Sequence, residues 1–258
     1  MINKFTLRRI IQIGVLIFSA AVVIKALDFI AHSYCPYALI CFGARGLRLG
    51  SWPIFLPAII AGFLIALITI FIGRRFCGYI CPLGTLVEYL NLLNPFRKRF
   101  LPKRIPLMIE RRLRLGKYLI LIATLTMALL FWGYLYYQLC PVMLLTFSAE
   151  LTLWGILVLL FVIIGSIFIN RFWCRYLCPY AAILNCFQFI GKKTDLKRSK
   201  IYRNLEVCND CRCCELNCQM NIEITEQEYI EDFNCIYCLN CIKACPKEAC
   251  LTLTDKMK

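Results

Sequence analysis

Charge is scarce in this sequence. Of its 258 residues only 17% are Asp, Glu, Lys or Arg, against 60% apolar, and the mean hydropathy is +0.68. A chain of this length cannot clothe an ordinary soluble surface with so few charges. Acids are the rarest: 15 stand against 30 Lys and Arg, and residues 1–203 contain only five. Histidine occurs once, at His32, and there is no C-x2-C-H run. Neither a bis-histidine nor a c-type haem can therefore be built from this chain alone. No Gly-rich fingerprint follows a strand-like segment, which leaves nicotinamide or FAD binding without support.

Long apolar runs are plentiful. They extend from Ile10 to Ile30, Pro53 to Ile72, Tyr118 to Tyr137 and Leu151 to Ile169. A hydrocarbon core ~30 Å thick takes about 20 helical residues to cross, so each run reads as a membrane span. The last three hold no charge, and the first carries Lys25 and Asp28 near its far end, where a lysine can reach the headgroups. No small-residue cleavage site follows the first run, which argues against a signal peptide. No run has a charge at its centre, which argues against a transporter. Basic residues crowd the segment from Arg74 to Lys117, whereas Gln138 to Glu150 holds none. Positive charge marks the cytoplasmic side, so both termini are expected there, in a multi-pass protein of a prokaryotic inner membrane with the lipid bilayer as a partner. The net charge of +15 divides into +20 over residues 1–203 and −5 over residues 204–258. It records topology and an acidic tail, and excludes a nucleic-acid partner.

Cysteine is abundant, at 18 residues. Cys208, Cys211, Cys214 and Cys218 form a C-x2-C-x2-C-x3-C run, and Cys235, Cys238, Cys241 and Cys245 repeat it, followed by Pro246. Three thiolates at this spacing can wrap three corners of an iron–sulfur cube, and in two-cluster ferredoxins the fourth ligand comes from the other run. The expected sets for two [4Fe-4S] clusters are Cys208, Cys211, Cys214 with Cys245, and Cys235, Cys238, Cys241 with Cys218. A disulfide network is disfavoured in a reducing compartment, and zinc would not explain the third cysteine of each run. Gln219 stands where the first run would carry proline, and Cys213 and Cys250 read as small buried residues.

The apolar part repeats. Arg74 to Pro82 reads R-R-F-C-G-Y-I-C-P and Arg171 to Pro179 reads R-F-W-C-R-Y-L-C-P. Cys77 with Cys81, and Cys174 with Cys178, each lie on one helix face. If the two repeats pack about a pseudo-twofold axis the four thiols meet, as an additional iron–sulfur or metal centre or as redox thiols. At the opposite ends Cys35-Pro36 matches Cys140-Pro141. Cys35, Cys41 and Cys140 read either as a disulfide or as an outer-face electron entry point, thiol pair or soft-metal site. His32 and Asp28 are the nearest proton acceptors for oxidising a quinol.

The expected fold is an all-α four-helix transmembrane domain built from two tandem helix-pair repeats, plus a small α+β bacterial 2[4Fe-4S] ferredoxin domain. Its boundaries are residues 1–95 for the first repeat, 96–190 for the basic linker and second repeat, and 191–258 for the linker and ferredoxin tail. Two C-x3-C-P motifs and a double-cluster tail together resemble the NapH-type membrane ferredoxins. These share a quinol-dehydrogenase module with NosR-type regulators and with a copper reductase of oxidase assembly. The resemblance implies electron transfer between the tail clusters and the quinone pool or an outer-face redox partner subunit. An outer-face copper or thiol reductase, and a redox-sensing regulatory or assembly factor, are the alternatives.

Overall fold

The computed structural model of the chain describes residues 4–24, 37, 52–93, 105–130, 140–141, 153–194 and 199–254. In chain order these form helices α1 (Lys4–Ile24), α2 (Trp52–Ile72), α3 (Arg75–Tyr79), α4 (Pro82–Leu93), α5 (Leu107–Leu113), α6 (Gly116–Leu129) and α7 (Leu153–Phe168). A π-helical turn at Trp173–Leu177 leads into α8 (Pro179–Lys193). The tail then runs through β1 (Lys200–Arg203), α9 (Cys213–Leu216), β2 (Tyr229–Ile230), α10 (Asn240–Ala244) and β3 (Leu251–Thr254).

Helices α1, α2, α6 and α7 fall on the four apolar runs. Among the described residues, however, no helix is long and apolar enough to cross a membrane. This overturns the expected four-helix transmembrane domain. Helices α6 and α7 have 14 and 16 residues, or ~21 and ~24 Å at the helical rise, short of a core ~30 Å thick. Helix α1 gives part of its length to Arg8 and Arg9. In place of four spans, the described residues form a body of ten helices and one π turn with a small sheet.

The two repeats have the same local anatomy. The Cys81 amide donates to the Phe76 carbonyl at 3.0 Å, and the Cys178 amide to the Trp173 carbonyl at 2.9 Å. Each is a wide, π-type closure. Proline follows at once and opens α4 or α8, where its missing N–H has no helical partner to lose. The repeats then interlock: α4 packs on α7 and α8 on α2, while α1 lies along α4 and α6 along α8. Their arginines cross as well. Arg171 pairs with Glu88 of the first repeat, and Arg74 donates to the Asn185 amide oxygen of the second at 3.1 Å. Glu88 and Asn185 hold equivalent positions in the two repeats.

The tail is a three-stranded antiparallel sheet, ordered β2-β1-β3, under two short helices. Ile201 of β1 is paired with Ile230 of β2 and Leu253 of β3, and Ile201, Ile230 and Leu251 are buried.

Two carboxylates seat the tail on the helical body. Glu88 is fully buried, paired with Arg8 at 2.5 Å and Arg9 at 3.2 Å as well as with Arg171. The Gln12 and Gln219 side-chain amides donate to it at 3.0 and 2.7 Å. Glu110, also fully buried, takes Arg175, Arg114 at 2.9 Å, the Tyr176 hydroxyl at 2.6 Å and the Asn221 amide at 3.3 Å. Arg114 continues into the tail, donating to the Met220 and Asn221 carbonyls at 2.6 and 3.1 Å. The buried ion pairs lie within the basic body, and neutral groups of the tail, on Gln219, Met220 and Asn221, hydrogen-bond to their members.

Burial pushes the Glu88 carboxyl up, but Arg171, Arg8 and the two amides outweigh it and hold it down at about 2. A depressed value in the folded state means that the stabilisation is complete above the ordinary value of 4.5 and is lost as pH falls through about 2. Glu88→Gln leaves Arg8 and Arg171 buried without a counter-charge, so it should lower the unfolding free energy by about 3–5 kcal/mol. Chemical denaturation will show this as a lower midpoint, and the acid-dependent loss between those two pH values should be absent from the variant.

Candidate iron–sulfur site

The two cysteine runs of the tail have the same backbone. Asp210 and Arg212 in the first, and Tyr237 and Leu239 in the second, flank the middle cysteine at positive φ, between 50° and 61°. Left-handed residues alternating along a short loop curl it, so that amides and side chains face a common concave side. Each loop then enters a short helix, α9 or α10, which carries the third cysteine.

The second set converges on one cavity. Its walls include Cys218, Cys235, Cys238 and Cys241, with Ile201, Ile222 and Ile236 among the apolar lining. Cys218 of the first run thus lines one cavity with three cysteines of the second. Burial pushes the Cys218 thiol up to about 11, with the neighbouring Cys238 adding to it, and raises Cys235, Cys238 and Cys241 as well. Four thiols held protonated by burial become thiolates only when a cationic group replaces their protons. An apolar chamber with an all-sulfur donor set fits an iron–sulfur cluster.

The first set lies nearer the surface. Cys214 is in electrostatic contact with Cys245, and Cys211 is exposed. Arg203 donates from Nε to the Cys208 sulfur at 3.3 Å. Buried Cys250 stands against both Cys208 and Cys245, so this cysteine lines the first set rather than simply filling core.

The C-x3-C-P cysteines are brought together too. Cys77 and Cys174 are buried, and Cys81 and Cys178 are half-buried. Cys81 is in electrostatic range of Cys174, Cys77 and Cys178. Burial raises the Cys81, Cys174 and Cys178 thiols, and Arg171 and Arg74 oppose this at Cys174. Among the described residues, Arg74 is fully buried and its Nε and Nη2 have no hydrogen-bond partner. No group of three or more His, Cys, Asp or Glu among the described residues is placed to hold a metal ion.

Of the outer set, Cys140 is buried, whereas Cys35 and Cys41 lie outside the described residues, as do His32 and Asp28. Several site residues carry no motif of their own: Glu88, Glu110, Gln12, Asn185 and Gln219. The signal for the first two was scarcity, because they are two of only five acids in residues 1–203. Gln219 departs from the proline pattern because its side chain reaches Glu88.

A family described as a 4Fe-4S binding domain matches residues 54–104 and 151–197. These segments are the two C-x3-C-P repeats, not the ferredoxin tail. The chain is 32% identical over 191 residues to the uncharacterized protein MJ0750 of Methanocaldococcus jannaschii, across 72% of this chain and 74% of that protein. It is 30% identical to YccM of Escherichia coli, named as an electron transport protein, over 72% of this chain and 53% of YccM. Similarity to the regulatory protein NosR of Stutzerimonas stutzeri is 28% over 74% of this chain, which spans 26% of NosR. No solved structure matches. With iron–sulfur ligand runs in the tail and this match across both repeats, the chain belongs to the 4Fe-4S-binding family that it shares with the archaeal protein.

Proposed function

We propose that the protein is a one-electron relay with three iron–sulfur centres: two [4Fe-4S] clusters in the tail, and a third held by Cys77, Cys81, Cys174 and Cys178. The observation that carries the third centre is Arg74. A buried guanidinium with two unspent donor nitrogens costs several kcal/mol unless an anion lies beside it, and Arg74 is in electrostatic range of Cys174 and Cys178. A cluster ligated by four thiolates is such an anion. The 4Fe-4S family match over both repeats supports the same assignment. The name of the relative YccM supports electron transport as the activity.

When bound, the clusters supply reversible one-electron chemistry. The chain's own residues do the rest. The isoleucine-lined chamber keeps water from the second set, and Arg74 and Arg171 offer positive charge where an electron arrives. The acidic tail, held by Glu88 and Glu110, keeps the cysteine sets in register with the C-x3-C-P thiols. At the far end we assign the quinone pool or a redox partner subunit, at the cytoplasmic membrane of a prokaryote with the tail on the cytoplasmic side. Half-exposed apolar side chains on three helices support a lipid neighbour, among them Phe63, Ile68 and Phe71 on α2, Leu119 on α6 and Phe161 on α7. A patch of this kind is not left in water.

Iron and acid-labile sulfide should amount to about twelve of each per purified chain, as against about eight for tail clusters alone. The double variant Cys77→Ser, Cys174→Ser should lose about four irons and one EPR signal while the tail signals persist. Eight irons in the unaltered protein, or no loss in the variant, would remove the third centre. Arg74→Gln should lower the reduction potential of that same signal, since a cation beside the cluster favours its more negative reduced state. A redox titration followed by EPR reads the shift. Clusters reduced with dithionite should be reoxidised rapidly and repeatedly by a soluble quinone analogue, whereas a sensor of the regulatory kind would react once and stop.

A further inference from the structure

The two cysteine sets of the tail do not stand equally toward the C-x3-C-P thiols. The first set faces outward, with Cys211 exposed and Cys208 beside the exposed Asp210. The second set faces the repeats, and the first repeat meets it backbone to backbone. A Cβ added at Gly78 would overlap the carbonyl oxygen of Ile236, which lies between Cys235 and Cys238 in the second run. At Gly73, where φ is +69°, the Tyr237 ring occupies the space of a side chain. The Tyr79 hydroxyl donates to the Tyr237 carbonyl at 3.3 Å, and Arg75 lies 5.5 Å over the Tyr237 ring.

The same cations serve both sides of this contact. Arg8 donates from Nε to the Gly78 carbonyl at 3.0 Å, and Arg171 from Nη1 to the Cys77 carbonyl at 2.5 Å. Arg8 and Arg171 are also in electrostatic range of Cys238. The second repeat is built differently. Arg175 occupies the position of Gly78, and its side chain extends to Glu110, with Nε at 3.1 Å. Of these two equivalent positions, Gly78 is the one that admits the tail's backbone.

We infer that electrons cross between tail and repeats at the Gly78–Ile236 contact, from the second cysteine set to the Cys77 side of the C-x3-C-P site, and that the first set is the outer terminus. This rests on the third centre proposed above. With clusters held by Cys218, Cys235, Cys238 and Cys241 and by Cys77, Cys81, Cys174 and Cys178, each crossing would move one electron, oxidising the first centre by one unit and reducing the second by one. No bond forms or breaks and no proton moves. The electron is replaced at the first set by a low-potential one-electron donor, for which a reduced viologen serves in the test.

The test uses the full chain, with centres reduced by the viologen and trapped by rapid freezing for EPR. Gly78→Val should keep the full iron content and all resting signals, but lose the fast reduction of the C-x3-C-P centre. Tyr79→Phe, which removes only the hydroxyl contact, should slow that phase without abolishing it. Arg111→Ala, at an exposed pair with Glu223 on the edge of the docked tail, should leave it unchanged. If Gly78→Val does not assemble, an unaltered fast phase in Tyr79→Phe overturns the inference. So does an unaltered fast phase in Gly78→Val itself. A wild-type chain with only tail iron fails the third centre instead, and takes the inference down before any variant is made.

Discussion

The tertiary structure depends on a carboxylate that has nowhere else to go. Glu88 is removed from water entirely, in a half of the chain where cations outnumber anions five to one. An isolated buried carboxylate would be untenable, and so would the buried guanidiniums of Arg8 and Arg171. Each is tolerable because the others are present. The partners come from the N-terminal helix, from the second C-x3-C-P repeat and from the tail, so Glu88, on the first repeat, can be satisfied only when four separated segments have met. Glu110 does the same on the second side, with Arg175, Arg114, Tyr176 and Asn221. Such ion pairs add little net stability compared with apolar packing, but they penalise every arrangement that leaves one member unpaired. The interlocked order of α4 on α7 and α8 on α2 inherits its register from them.

The same electrostatics shapes the redox sites. Burial makes thiolates costly in the absence of a cluster, and it raises the thiols of the second set and of Cys81, Cys174 and Cys178. In the proposed relay the arginines around them would reverse that preference, because a cluster held by four thiolates is anionic in either oxidation state. Arg171 is balanced by Glu88, whereas Arg74 meets only the neutral amide of Asn185. The pseudo-symmetric exchange of Glu for Asn therefore leaves one arginine with charge to spare beside the thiols. The asymmetry of Gly78 against Arg175 has a matching geometric effect, since it opens one repeat to the tail's backbone and fills the other with a side chain.

Local patterns were the most legible part of the chain. The spacing of the tail cysteines was legible because it is set within seven residues, and both runs share the same left-handed backbone. The recurring R-x-aromatic-C-x-Y-aliphatic-C-P was legible for the same reason. Hydropathy located the four long helices but overstated their reach, because apolar composition does not say where a helix stops. Helix α6 ends at Leu129, inside an apolar run that continues to Tyr137. Gln219 read as a missing proline when its importance lies in a contact 131 positions away. Cys250 read as core filling, although it stands beside Cys208 and Cys245.

Sequence alone determined what is chemically local: the two cysteine runs, the duplication, and the opposed charges of body and tail. Each follows from spacing or from counting, which need no knowledge of distant partners. Only the tertiary structure decided which cysteine set faces the repeats, which glycine admits the tail, and that Glu88 and Glu110 would be buried. Those outcomes depend on desolvation and pairing among groups that are remote in sequence, and a charge reveals its partner only when the folded chain has taken it out of water.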